Sequence, residues 1–223
     1  GRSRSIRRPS VGAHARSIVP PPAIRPATHA TNPATALATA VHASAPPGAR
    51  VSAETCPHYL VLTDERYLDP DPVSCARYVI APPLRSATDR DALWAGLADG
   101  SLDLVATDHV PDRLDTEKAE AAQGVPFDRI SNGAPGIETL LTILYSEGVA
   151  RGRITTERMV DLLSTTPARR FGLATKGALE VGRDGHVLIF DPAARRTIRA
   201  ANLHHTSDYT PYEGIDVRGS VRA

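Results

Sequence analysis

The sequence predicts an α/β fold: a run of βα units closed by a small β part, behind a disordered amino-terminal stretch. Three observations carry that expectation. Composition changes character near residue 50, short apolar runs alternate with helical patterns from Val51 onward, and beyond Gly177 the apolar period moves toward two. The expected divisions are residues 1–50, 51–176 and 177–223.

Residues 1–50 hold seven arginines, no lysine and no acidic residue, whereas residues 51–223 carry a net charge of −6. The first stretch is Ala, Arg, Pro and Ser, with Pro20-Pro21-Pro22, Pro26, Pro33 and Pro46-Pro47 interrupting any long helix. It offers too little apolar surface to offset the entropy of ordering, so disorder is expected. A nucleic-acid tail would want aromatic residues for stacking, and there are none. A transit peptide would want an amphipathic helix, which the prolines oppose. A shifted reading frame in a GC-rich gene fits the abrupt switch at Val51, with a plain solvated tail as the alternative.

No apolar run reaches the ~18 residues of a membrane span, so no membrane or nucleic-acid partner is expected. Cys56 and Cys75 are too few for a disulfide framework and form no CxxC pair, which makes a cytoplasmic setting the default. The 223 residues fall short of the roughly 250 of a whole (β/α)8 barrel.

Val51–Thr55 is expected to be a strand running into Cys56-Pro57, and Tyr78-Val79-Ile80 a second one, halted by Pro82-Pro83. Ser86 or Thr88 caps a helix bearing Leu93, Trp94 and Leu97, which Gly100 ends. Leu102–Thr107 reads as a buried strand with Asp108-His109 at its carboxyl end, where barrel enzymes keep their catalytic groups. Residues 111–135 form a long polar loop of the kind usually kept for function. Gly136–Val149 is expected to be an amphipathic helix with Ile137, Leu140, Leu141, Leu144 and Tyr145 on its apolar face. Thr155 or Thr156 caps the next helix, and Thr166-Pro167 restarts a short one. Ala178–Val181, Val187–Phe190 and Thr197–Arg199 are the expected strands of the terminal β part.

Seven segments in order then resemble one family. They are Ala53-Glu54-Thr55-Cys56-Pro57-His58-Tyr59-Leu60, Pro82-Pro83-Leu84-Arg85, Ala106-Thr107-Asp108-His109, Asn132-Gly133-Ala134-Pro135-Gly136, Leu144–Val149, Ser164–Arg169 and Asp208-Tyr209-Thr210-Pro211-Tyr212-Glu213-Gly214. Together they are similar to cyclic amidohydrolases, and the last points to dihydropyrimidinases and hydantoinases over allantoinases and dihydroorotases. The resemblance implies the closing part of a (β/α)8 barrel of the metal-dependent amidohydrolase kind, with part of a small β-sandwich. It also implies a small cyclic amide or ureide substrate, a homotetramer, and a divalent metal pair, usually zinc, that activates water for attack on the ring carbonyl.

In that family the ligands are an HxH pair, a carbamylated lysine, two further histidines and one aspartate. Asp108 matches the aspartate, which implies that it binds one metal and carries a proton from the attacking water to the leaving ring nitrogen. Asn132, through its main chain, and Ala81, before Pro82, match substrate contacts; hydantoinases often have serine where Ala81 stands. A structural role is expected for His58, whose position also accommodates glutamine, and buried packing for Cys56, which has no identifiable partner base. His204-His205 cannot mimic HxH geometry, and His186 is read as surface variation.

The sequence contains no HxH, and its first lysine is Lys118. His14, His29 and His42 do not stand in strand-end contexts. One carboxylate cannot hold a metal pair, since even a single catalytic zinc takes about three protein ligands. The expectation is a cyclic amidase whose 223-residue chain, taken alone, is inactive; the competing class is a non-catalytic scaffold of the same fold.

Overall fold

Two short parallel strands, β1 (Glu54–Thr55) and β2 (Leu104–Val105), set the site's register by pairing Glu54 with Leu104 and Thr55 with Val105. The structure is a computed structural model that describes residue 44 and residues 51–222. The expectation of disorder over residues 1–50, residue 44 apart, and the positions of His14, His29 and His42 therefore lie outside the described residues. The pairing is fastened beyond the strands: Asp103 N donates to Ala53 O at 2.8 Å, Ala106 N to Thr55 O at 3.0 Å, and Ala53 N to Asp103 Oδ2 at 2.8 Å.

After β1 come two five-residue helices, α1 (Pro57–Val61) and α2 (Pro72–Ala76). The long helix is α3 (Ala87–Asp99), and its start and stop are as the sequence predicts. Ser86 and Asp89 form a reciprocal capping box, and Gly100 at φ +90° closes the other end. Its inner face brings Trp94 and Leu97 onto Leu60, Leu102, Val105, Leu144, Ile154, Met159 and Leu162, the core beneath β1 and β2. The Trp94 indole donates to the Leu60 carbonyl at 2.9 Å, so its polar atom is satisfied in burial.

Downstream lie α4 (Leu140–Ile143), α5 (Thr156–Val160) and α6 (Thr166–Arg170). Helix α4 runs on into a wider π turn over Leu144–Val149, with Ala150 N donating to Tyr145 O at 2.8 Å. The widening seats Gly148 against Trp94: a Cβ there would stand 2.8 Å from Trp94 Cζ3 and 3.0 Å from Ile154 Cγ1. Gly148→Ala is expected to cost about 1–3 kcal/mol through overpacking, measured as a lower urea midpoint. The same substitution at Gly152, whose added Cβ would meet nothing within 4 Å, probes backbone conformation alone.

A second pair, β3 (Phe190–Thr197) and β4 (Asp216–Val221), is antiparallel, with a register irregularity between Asp191 and Arg195. Val217 of β4 and Ile198, the residue after β3, pack with Ile143, Leu62, Ile80, Leu84, Ala134 and Tyr212 in the second core.

Several element expectations are corrected. Tyr78-Val79-Ile80 joins no ladder among the described residues; the Val79 carbonyl instead accepts from Gly133 N and Lys118 Nζ, so a loop and a lysine replace a strand partner. The helix expected from Gly136 starts at Leu140, because Gly136 and Thr139 are engaged in loop hydrogen bonds, and Ile137 is 60% exposed rather than on the apolar face. Thr166-Pro167 restarts nothing: Thr165 is already helical, and α5 passes through a π turn over Asp161–Thr165 into α6. Ala178–Val181 and Val187–Ile189 form no ladder, and their large apolar side chains are exposed; the strand begins at Phe190, where β4 supplies a partner.

Candidate metal centre

The strand pairing puts the two loop starts that matter side by side. Cys56 directly follows β1 and occupies the N-cap of α1, with Pro57 at the first helical position and His58 next. Asp108 comes three residues after the end of β2. One ligand atom each from Cys56, His58 and Asp108 lies within 4.8 Å of the other two. Cys56 and His58 are buried and Asp108 is exposed, so the cluster sits at a wall with one open side.

Asp108 is the non-glycine residue at positive φ among those described, at +46°. Left-handed backbone costs most L-residues about 1–2 kcal/mol, and aspartate is one of the few that tolerates it.

Burial pushes the Cys56 thiol up to about 12, with the Asp108 and Glu54 carboxylates adding to the effect. It pushes the His58 imidazole down to about 4, against the pull of Asp108. At neutral pH His58 is therefore uncharged, the form that can bind a cation. Its Nε2 is buried and has no hydrogen-bond partner. A thiol, an imidazole and a carboxylate within 4.8 Å of one another, with one nitrogen of that imidazole buried and unpartnered, fit a divalent transition metal. The sequence reading took His58 as structural and Cys56 as buried packing; both are buried, and the structure adds their closeness to Asp108. The alternate spacing of Cys56 and His58 was its one visible sign.

Loop 111–135 is bound tightly to this wall. Val110 N donates to Ala134 O at 3.1 Å, Gly133 N to Val79 O at 3.0 Å, and Gly136 N to His109 Nδ1 at 3.1 Å. Gly133 has φ +139°, and a Cβ on it would lie 2.5 Å from Val110 Cβ, so only glycine lets the two backbones approach. Asn132 stands exposed beside it, and the Val79 bond brings it next to the segment that ends in exposed Ala81. The predicted residues Asp108, Asn132 and Ala81 thus lie on three neighbouring segments joined by backbone hydrogen bonds.

The fastenings come from two sources the sequence did not advertise. Lys118, 1% exposed, donates to Ser131 O at 2.7 Å and Val79 O at 3.2 Å. The Asp208 carboxylate accepts from Leu114 N at 2.8 Å and Asp115 N at 3.2 Å, while the buried Tyr209 hydroxyl donates to Gly133 O at 3.2 Å. The Asp208–Gly214 motif is therefore a clamp on the loop. His204 pairs with Glu138 at 3.0 Å.

Among the described residues no helix is long and apolar enough to cross a membrane.

Comparison with known proteins follows the same residues. The profile of the amidohydrolase family matches residues 21–223. The D-phenylhydantoinase of Escherichia coli (strain K12 / DH10B) is 42% identical over 169 residues, 75% of this chain and 36% of that protein. The crystal structure of a dihydropyrimidinase from Brevibacillus agri superposes with a TM-score of 0.73 at 42% identity, covering 77% of this chain and 37% of the other. A D-hydantoinase from a Bacillus species gives 0.77 at 39% identity, covering 86% and 41%. The chain spans little more than a third of the length of the curated relatives it matches.

Proposed function

Since the chain belongs to the amidohydrolase family, we propose that residues 51–222 form closing barrel strands and sandwich strands of an enzyme that opens a dihydropyrimidine or hydantoin ring by hydrolysis. The observation that carries this is Asp108, held at φ +46° three residues beyond β2 and next to His109, whose ring nitrogen accepts from Gly136 N of the neighbouring segment.

Asp108 is the residue of this chain that would hold a divalent metal, zinc in this reading. A bound metal pair would supply a water made nucleophilic at neutral pH and would polarise the ring carbonyl. Asp108 takes the proton of the attacking water and passes it to the ring nitrogen as that nitrogen leaves. The main chain at Asn132 and Ala81 holds the ring amide, and the Lys118, Asp208 and Tyr209 contacts keep those segments in place. Such positioning matters, because a small misplacement of a reacting group is costly.

The 223 residues contain no HxH and no lysine before Lys118, which leaves Asp108 as the match to the ligand set that the family resemblance implies. The polypeptide assayed alone is expected not to turn over hydantoin or dihydrouracil.

A chimera tests the reading. Residues 51–222 replace the corresponding part of the Escherichia coli D-phenylhydantoinase, and the zinc-loaded product is assayed for ring opening. Turnover by the chimera and none by the unfused chain is the expected pattern. A folded, metal-loaded chimera without activity would sink the proposal.

A further inference from the structure

We propose that Cys56, His58 and Asp108 form a binding site for a single soft divalent cation, zinc or cadmium, made entirely from this chain. The inference rests on the geometry of these three side chains and not on the hydrolytic reading, which requires neither Cys56 nor His58.

Three observations converge. The three donor atoms lie within 4.8 Å of one another. They are a sulfur, a ring nitrogen and a carboxylate oxygen, the mixture that selects zinc-like cations over calcium or magnesium, which prefer oxygen alone. And His58, 2% exposed, has a buried Nε2 with no hydrogen-bond partner, a polar atom left unsatisfied unless something is bound there.

The surroundings suit a three-ligand site with one open position. Cys56 and His58 are fixed by the first turn of α1, Cys56 at its N-cap and His58 one residue beyond Pro57. Asp108 closes the set from the exposed side, and a bound zinc would draw the three donors to bonding distance, about 2.0–2.3 Å. The sulfur–metal bond forms as the thiol proton passes to the buffer, with no redox step. Cys75, the other cysteine, is not in the cluster; its sulfur faces the Asp69 carbonyl at 3.2 Å.

The test is titration of the full 223-residue chain with cadmium, read by the ultraviolet sulfur-to-cadmium charge-transfer band. The expected result is saturation at one cadmium per chain. Cys56→Ser abolishes the band, His58→Gln and Asp108→Asn each weaken cadmium binding about tenfold or more, and Cys75→Ser leaves both band and affinity unchanged. Circular dichroism identifies any variant that fails to fold. His58→Gln and Asp108→Asn keep the test decisive if Cys56→Ser misfolds. The site is overturned if the band survives in folded Cys56→Ser, if it vanishes in Cys75→Ser alone, or if His58→Gln and Asp108→Asn both bind cadmium as the parent does. None of these results depends on ring-opening activity, so the hydrolytic proposal stands or falls separately.

Discussion

Asp108→Asn in the chimera is expected to lower kcat about a thousandfold, within the range for loss of a positioned proton-transfer group. The substitution is close to isosteric. Asparagine tolerates left-handed backbone as well as aspartate does, so the φ of +46° at this position survives the change. What is lost is the anionic oxygen, and with it both a metal ligand and the acceptor for the proton of water. Metal content measured alongside kcat separates those two losses. If the variant keeps its metal and loses turnover, proton transfer is the role; if the metal goes too, ligation is included. Activity close to the parent's would remove Asp108 from the chemistry.

Lys118→Met is expected to destabilise the chain by about 3 kcal/mol, the scale for breaking a buried charge network by removing one partner. The Lys118 side chain is fully buried, and its Nζ lies 4.0 Å from Asp112 Oδ2, an atom with no hydrogen-bond partner of its own. Methionine fills the space but leaves the Asp112 carboxylate uncompensated and takes a donor from the Ser131 carbonyl. Adding Asp112→Asn to the variant should therefore recover part of the loss in a urea melt. Burial pushes the lysine down to about 8, against the pull of Asp112. Because the folded value lies below the unfolded one, the unfolded chain binds more protons between them. Stability relative to the methionine variant should then rise as pH climbs from about 8 toward 10.5. A loss well under 1 kcal/mol, or a difference that falls with pH, would contradict this account.

Local chemistry made some of the fold legible. Ser86, Asp89 and Gly100 announce α3 because caps and left-handed stops depend on a few residues in sequence. Asp108 at a strand end, and the order of the seven segments, pointed to the family before any coordinate did. What could not be read were features set by distant partners. Val79 looks like strand, yet a lysine and a glycine from further along the chain take its carbonyl. Thr197–Arg199 reads as the strand, yet β3 runs from Phe190 and ends at Thr197 because β4 pairs there. The meeting of Cys56 with Asp108 follows from Thr55 standing opposite Val105, a register no local pattern encodes.

The clamp from Asp208 and Tyr209 has a consequence for the order in which the molecule can be made. These residues grip loop 111–135 from 76 to 94 positions downstream. A ribosome that has released residue 150 has released the whole loop and neither of these fastenings. Contacts of such sequence separation close late and slowly. During that interval the loop can pack its own Ala121 and Ile130 on Ala76 and Val79, but without the two later fastenings. Synthesis thus leaves a stretch of time in which the nascent chain holds its catalytic candidates but not the site, and in which a chaperone has its clearest opening.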